Sequence, residues 1–257
     1  MTQASTAWRI LKSLLPSRGV SRLAPRDAYR LWSATYDEQP DNVVLRLESK
    51  LFADLLEGIT LEDKVVLDVG CGTGRHWSEL LARRPSRLDG ADSSSEMLER
   101  LRAKFPSSAL HLVADWELPT FAEASVDAVI STLTIGHIRE LGRAIKEWSR
   151  VLTPGGPVIV TDFHPEAFRI GLKRTFVHQG QTIEAENHLH PVAELRSLFQ
   201  ASGLVVRSVA EGIIDDTVKP LFERQGRMND YRRYTGTPIV VGFQLERTSG
   251  TGRDISG

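Results

Sequence analysis

Between Val65 and His76 the chain reads Val-Val-Leu-Asp-Val-Gly-Cys-Gly-Thr-Gly-Arg-His. The apolar run Val65, Val66 and Leu67 suits a strand buried on both faces of a parallel sheet. Asp68 follows, then Gly70, Gly72 and Gly74 at alternate positions, and then a helix-like pattern. A strand, a glycine turn and a helix in that order bring backbone N–H groups close to a nucleotide-like ligand. Glycine is required there because a Cβ would strike the ligand or because φ is positive. The spacing narrows the ligand class. A dinucleotide fingerprint needs a glycine where Arg75 stands, and a phosphate-binding Walker loop ends in Gly-Lys-Ser/Thr, which is missing here.

The segments around this unit alternate strand and helix. Ahead of it, residues 27–38 read as a helix with Tyr29, Trp32 and Tyr36 on one face, and residues 43–57 as a second amphipathic helix. After it, a short strand at 88–91 ends in Asp92, some twenty residues past the glycines. An acid in that place can accept two ribose O–H bonds at once; Asp89 competes for the role on spacing alone. Ser93 and Glu96 form a capping box, which predicts a helix over 93–104 with Met97 in its first turn. Strands at 110–114, 126–131 and 158–161 follow, with a helix over 139–152 between the last two. In an open α/β sheet, ligands bind beyond the carboxyl ends of the strands. That puts Asp115, Trp116, His137, Asp162 and His164 on the ligand side. His137 and His164 are therefore the candidate general bases. Segments 174–176 and 182–184 flank Gly180 as a hairpin. A helix at 191–202, a strand at 204–211, a polar stretch at 212–235 read as a solvated helix or else as lining of the pocket entrance, and a strand at 238–246 complete the order.

With these parts in this order, the chain resembles the class I S-adenosylmethionine (SAM)-dependent methyltransferases, in particular small-molecule enzymes of the type 11 kind. "VLDVGCGTGRH" is similar to their first motif, "GADSSSEML" to their second, and "RVLTPGGPVIVTDFHP" to their connection between fourth and fifth strands. The resemblance implies a Rossmann-like, doubly wound α/β sheet of seven strands, mostly parallel, with the last antiparallel. It also implies a helical N-terminal cap and an inserted lid at about 163–191. It implies SAM as cofactor, held by Asp68, Gly70, Cys71, Gly72, Gly74, Asp92 and Ser93. Met97, Asp115 and Trp116 would lie against the adenine, and Tyr29, Trp32 and Tyr36 toward the acceptor. The expected activity is methyl transfer to a small organic molecule. The competing expectation is a non-catalytic SAM-binding or regulatory protein of the same fold, which turnover would distinguish. No Asn/Asp-Pro-Pro-Tyr/Phe motif follows the fourth strand, where Ser131-Thr-Leu-Thr134 stands instead, so a nucleic-acid substrate is not expected.

Composition adds boundaries. The 257 residues suffice for one good-sized domain, expected over 26–247, and a net charge of −1 offers no general basic field for nucleic acid. Cys71 is the one cysteine, so no disulfide can form within the chain; a reducing, cytoplasmic setting is expected. Within the glycine loop it reads as a small packing residue, not a nucleophile. No apolar run approaches the ~20 residues of a membrane span. His178, His188 and His190 lack metal-site spacing, so no metal is expected. Residues 1–26 hold Arg9, Lys12, Arg18, Arg22 and Arg26 and no acid. Organellar targeting segments and membrane-surface helices share that pattern. The expectation adopted is a basic extension over 1–25 outside the folded domain, with a disordered tail at 248–257. The sequence says nothing of the oligomeric state.

Overall fold

In the computed structural model, residues 20–114 and 117–249 are described. The chain opens with a short strand β1 (Ser21–Leu23), a helix α1 (Pro25–Trp32) and the longer helix α2 (Val43–Leu55). Strands and helices then alternate: β2 (Val65–Val69), α3 (Trp77–Ala82), β3 (Arg87–Asp92), α4 (Ser95–Lys104), β4 (Ala109–Leu112) and β5 (Ala128–Thr132). A single 3₁₀ turn (Ile135–His137) leads to α5 (Leu141–Val151) and β6 (Pro157–Phe163). The last part holds α6 (Pro165–Arg169), β7 (Thr175–His178), β8 (Gln181–Ala185), α7 (Val192–Ala201), β9 (Leu204–Ile213), α8 (Lys219–Arg224), α9 (Met228–Tyr234) and β10 (Pro238–Arg247).

Seven strands form one sheet in the order β4-β3-β2-β5-β6-β10-β9. The first five are parallel, and β10 runs antiparallel between β6 and β9. This is the doubly wound α/β sheet that the motif order implies. The order reverses between β2 and β5, and the crevice beyond their carboxyl ends is where such sheets bind ligands. Alternate residues of each central strand enter opposite cores. Val66, Ile130 and Ile159 pack on the side of Leu51 and Phe52 of α2, while Leu67, Val129 and Val160 pack on the side of Trp148 of α5 and Phe199 of α7. With both faces covered, β2 carries no polar alternation.

A second, three-stranded sheet in the order β1-β8-β7 lies beside α1. Ala28 and Trp32 of α1 pack on Phe176 and Ile183 of this sheet, with the Trp32 and Phe176 rings stacked at 4.7 Å. The β7–β8 hairpin turns at Gln179-Gly180, as its sequence suggested, but β1 was not foreseen: Ser21–Leu23, assigned to the loose extension, pairs in parallel with β8. The three residues are too few to show a period.

Other differences have local causes. The helix read over 27–38 ends at Trp32, and Tyr36 lies in the turns after it. The helix read from Ser93 starts at Ser95, with Ser94 as its cap, its Oγ accepting from Met97 N at 3.3 Å. Asp92 takes the Ser94 N–H at 2.8 Å, and that turn moves the cap one residue along. The stretch 212–235 is helical as read, but not merely solvated: it holds α8 and α9, whose Leu221, Phe222 and Tyr231 are buried in the core. Among the described residues no helix is long and apolar enough to cross a membrane. The targeting and tail expectations fall largely on 1–19 and 250–257, which lie outside the described residues.

Candidate functional site

The glycine loop is shaped by two different constraints. Gly70 has φ 72°, and a Cβ there would lie 2.2 Å from Thr134 Oγ1 in the loop after β5. It lets two strand ends approach. Gly72 has φ 52°, yet a Cβ on it would meet no protein atom within 4 Å. The space it leaves is cleft, and any side chain there would intrude on what the cleft holds.

Asp92 stands opposite, at the end of β3. Its Oδ2 accepts from Gly72 N at 2.8 Å and its Oδ1 from Ser94 N at 2.8 Å. Each oxygen retains a lone pair for a ligand hydroxyl. Burial raises the Asp92 pKa, opposed by the N–H groups of Ser94, Gly72 and Ser93. The cleft encloses ≈ 810 Å³, its open mouth included. Its walls are Gly70, Gly72, Asp92, Ser93 and Met97, with Val113 after β4, Thr132 to Thr134 after β5, and Pro25, Tyr29, Tyr36 and His137. One part of the wall is thus hydrogen-bonding (Asp92, Ser93) and another apolar (Ala91, Met97, Val113, Ile138), which suits a sugar joined to a flat heterocycle.

Several residues assigned to the site do not line this cleft. Asp68 is buried beneath the loop; its Oδ2 accepts from Trp77 Nε1 at 2.9 Å, and its Oδ1 has no partner among the described residues. Burial, with the Asp92 charge adding to it, pushes the Asp68 pKa up to about 7 against the bond from Trp77. The Cys71 side chain is buried in the core, and burial raises its thiol pKa well above normal, so it is no nucleophile. Gly74 faces Leu101 and Trp77. Trp32 lines a neighbouring cavity. Asp115 and Trp116 lie outside the described residues.

The two histidines part company. His164 is not at the cleft. It caps α6, accepting from Glu166 N through Nδ1 at 3.1 Å, with Nε2 3.4 Å from Glu211. As the residue before Pro165 at a helix start, it is extended and serves the backbone. His137 does line the cleft, but neither ring nitrogen is free. Nδ1 lies 2.8 Å from Glu186 O, so it must carry the proton and donate; Nε2 then accepts from the Tyr29 hydroxyl at 2.9 Å. Burial, helped by the Arg174 charge, holds the His137 pKa well below its normal value. The ring is a neutral strut for Tyr29, not a ready base.

Sequence reading missed three groups around the cleft. Glu48 of α2 is wholly buried under the loop and binds Arg75 at 2.5 Å, His76 at 3.1 Å and Thr161 at 2.7 Å. A signal was present: Glu48 occupies an apolar position of the α2 stripe, with Val44, Leu47, Leu51, Phe52 and Leu55. Asp37 accepts from Thr73 of the loop at 2.6 Å and from Lys104 at 3.1 Å, tying the segment that carries Tyr36 to the loop. Arg174, at the start of the hairpin, is buried against Asp162 of β6. Among the described residues there is no group of His, Cys, Asp or Glu placed to hold a metal ion.

A doubly wound sheet with a glycine loop opposite an acid at its switch point defines a nucleoside-cofactor domain of Rossmann-like class. Residues 67–160 match the family model described as "Methyltransferase domain". Among relatives, the chain is 30% identical over 171 residues to the biotin biosynthesis bifunctional protein BioHC of Cellvibrio japonicus, covering 66% of this chain and 32% of that one. It is 32% identical over 146 residues to a dTDP-3-amino-3,4,6-trideoxy-alpha-D-glucopyranose N,N-dimethyltransferase of Streptomyces venezuelae, covering 55% and 61%. The chain thus spans less than two thirds of either relative. A solved S-adenosylmethionine-dependent methyltransferase from Mesorhizobium loti superimposes with TM-score 0.61 at 19% identity, covering 78% of this chain and 98% of that one. Residues 67–160 thus match a methyltransferase domain, and the chain has the fold of the SAM-dependent methyltransferases.

Proposed function

We propose that this protein is an enzyme that transfers the methyl group of SAM to a small organic acceptor. The observation that carries the reading is the pairing of Gly72 with Asp92: an open cradle beside the glycine and a carboxylate braced by that glycine's own N–H. The residues fit the cofactor. Asp92 would take the ribose hydroxyls, Met97 and Val113 would pack on the adenine, and the loop backbone would follow the methionine portion. When bound, SAM supplies a methyl group already activated by a positive sulfur. The chain's part is to align an acceptor and exclude water, which can contribute ~7–11 kcal/mol through proximity. Tyr29 and Tyr36 complete the wall on the acceptor side. A cytoplasmic location belongs to this reading, supported by the buried, unpaired Cys71.

Relatives methylate different atoms. By name, one is a malonyl-[acyl-carrier protein] O-methyltransferase, one the N,N-dimethyltransferase above, and one a ubiquinone/menaquinone biosynthesis C-methyltransferase. Kinship therefore does not choose the accepting atom.

Calorimetric titration with SAM, S-adenosylhomocysteine and NAD tests the cofactor. SAM and S-adenosylhomocysteine are expected to bind in the micromolar range, and NAD not at all. Asp92→Ala removes two charge-assisted bonds and is expected to weaken SAM binding by about 100-fold. Gly72→Val, which fills the cradle, is expected to do at least as much. Binding of NAD in place of SAM would overturn the reading. Release of S-adenosylhomocysteine in the presence of an acceptor separates an enzyme from a non-catalytic binder.

A further inference from the structure

A second cavity of ≈ 320 Å³ adjoins the cleft; Tyr29, Tyr36 and Leu133 belong to the walls of both. The rest of its wall is Trp32, Gln39, Asn42, Val44, Leu45, Phe163 and Arg174. Its polar groups sort into those already committed and those left over. Gln39 donates to Tyr36 O at 2.6 Å and accepts from Asn42 at 2.9 Å, while Asn42 Oδ1 caps α2 through Val44 N and Leu45 N. Both oxygens of Asp162, the carboxylate paired with Arg174, are taken: Oδ1 by Phe163 N and the guanidinium, Oδ2 by Gly136 N at 2.7 Å.

What remains includes a charged donor and a neutral hydroxyl. Arg174 is 5% exposed; one terminal nitrogen donates to Leu133 O at 2.6 Å and the other to Asp162, the Tyr29 hydroxyl interacts with the guanidinium, and Nε–H has no partner at hydrogen-bond geometry among the described residues. The Tyr36 hydroxyl likewise makes no hydrogen bond among the described residues. Trp32 adds an indole, whose polar atom can only donate. An unmade bond on a buried charged donor is costly and rare, and calls for a partner the protein itself does not supply. The other walls are apolar or aromatic.

Resting on the reading of the protein as a SAM-dependent enzyme, we propose that this cavity binds the acceptor as a carboxylate, held by Arg174 Nε–H and the Tyr36 hydroxyl, its apolar body lying against Trp32 and Leu45, and that the carboxylate oxygen is the atom methylated. An ammonium finds no carboxylate among the described wall groups with an uncommitted oxygen to balance its charge, and the Tyr36 hydroxyl, which can accept as well as donate, is neutral. A phenol or alcohol would need its proton removed, and His137, bonded through both nitrogens, is no ready base for it. A carboxylate needs none. One of its oxygens uses a lone pair to bond the methyl carbon, the carbon–sulfur bond breaks, and that bond's electron pair stays on sulfur. The anion becomes a neutral ester, the sulfonium a neutral thioether, and no proton moves. Before transfer, the anion balances the sulfonium, so the Arg174–Asp162 pair can remain internally neutral.

The test uses the whole protein saturated with S-adenosylhomocysteine. Benzoate, phenylacetate, 3-phenylpropanoate and octanoate are titrated as probes, with benzylamine and phenol as controls. At least one acid is expected to bind, the controls not. Arg174→Gln is expected to weaken acid binding at least about tenfold, and Tyr36→Phe about three- to tenfold, with S-adenosylhomocysteine affinity held within about twofold. Tyr36→Phe breaks no hydrogen bond of the protein itself, so it decides the matter even if the Arg174 variant fails to fold. With SAM, the bound acid should yield its methyl ester, identified by mass. Binding of benzylamine or phenol in preference to the acids, equal acid binding in both variants, or no acid binding tighter than about 10 mM overturns the proposal while leaving the cofactor reading intact. Failure to bind S-adenosylhomocysteine at all overturns the reading beneath it.

Discussion

Glu48→Ala is expected to destabilise the protein by about 3–5 kcal/mol, the cost typical of removing one partner from a buried ion pair. For a domain of this size that lowers Tm by about 8–15 °C. The reason is geometric. Glu48 is wholly buried, and its carboxylate is the shared acceptor for Arg75, His76 and Thr161. Deleting it leaves a guanidinium 21% exposed and a buried imidazole without their acceptor. Those two residues end the glycine loop, so SAM affinity should fall together with stability. The pH dependence identifies the charge as the cause. The Arg75 and His76 charges and the bonds from His76 and Thr161 outweigh burial and lower the Glu48 pKa from 4.5 to about 2. A depressed carboxyl contributes stability above its unfolded pKa and loses it as pH falls from 4.5 toward 2. The loss is on the order of 3 kcal/mol. Urea unfolding of wild type, Glu48→Gln and Glu48→Ala at neutral and acid pH measures this. The glutamine variant should keep the Thr161 bond and fall between the other two. A loss under about 1 kcal/mol in Glu48→Ala would show that the buried charge is not what holds the loop.

Glu48 also shows where sequence reading reaches its limit. The α2 stripe was legible from its period, and so was a central parallel sheet, because long elements repeat a pattern several times. The position of Asp92 opposite the glycine loop was legible because it lies at a fixed distance in sequence from the glycines. Glu48, Arg174 and Asp37 were not, since their partners lie 27, 12 and 36 residues away or more and no local pattern records a contact across the fold. A charged residue inside an apolar stripe is the one local clue such a group leaves, and Glu48 leaves it.

Neither histidine presents a free ring nitrogen to the cleft, for two separate reasons. His164 was placed at the cleft because it follows a strand, but β6 continues through Phe163 and the next residues turn into α6, so the side chain serves as a cap. His137 was placed rightly, yet its chemistry depends on Tyr29 and Glu186, which are 108 and 49 residues away. Position along a strand tells which end of the sheet a side chain occupies. It does not tell which atoms are left free.

Asp68→Asn is expected to make the protein more stable at pH 8 and to leave it unchanged near pH 4. Asp68 is 4% exposed, its Oδ1 has no partner among the described residues, and burial raises its pKa from 3.8 to about 7. The folded state therefore holds a proton that the unfolded chain gives up. That contribution is complete below pH 3.8 and is lost as pH rises toward 7; the loss is on the order of 4 kcal/mol. Asparagine is uncharged at every pH and can still accept from Trp77 Nε1, so the variant escapes the loss. His137 acts with the opposite sign. Its folded pKa lies well below 6.5, so it contributes stability above that pH and loses it as pH falls. In wild type alone the two trends overlap and partly cancel between pH 4 and 6.5. The difference between Asp68→Asn and wild type removes the histidine, which both proteins share, and isolates the carboxyl. Unfolding free energies at unit steps from pH 4 to pH 8 should give a difference that grows steadily and levels off near pH 7. A flat difference would mean that Asp68 ionises as an ordinary carboxylate, and that the polar atom beneath the glycine loop has found a partner such as water.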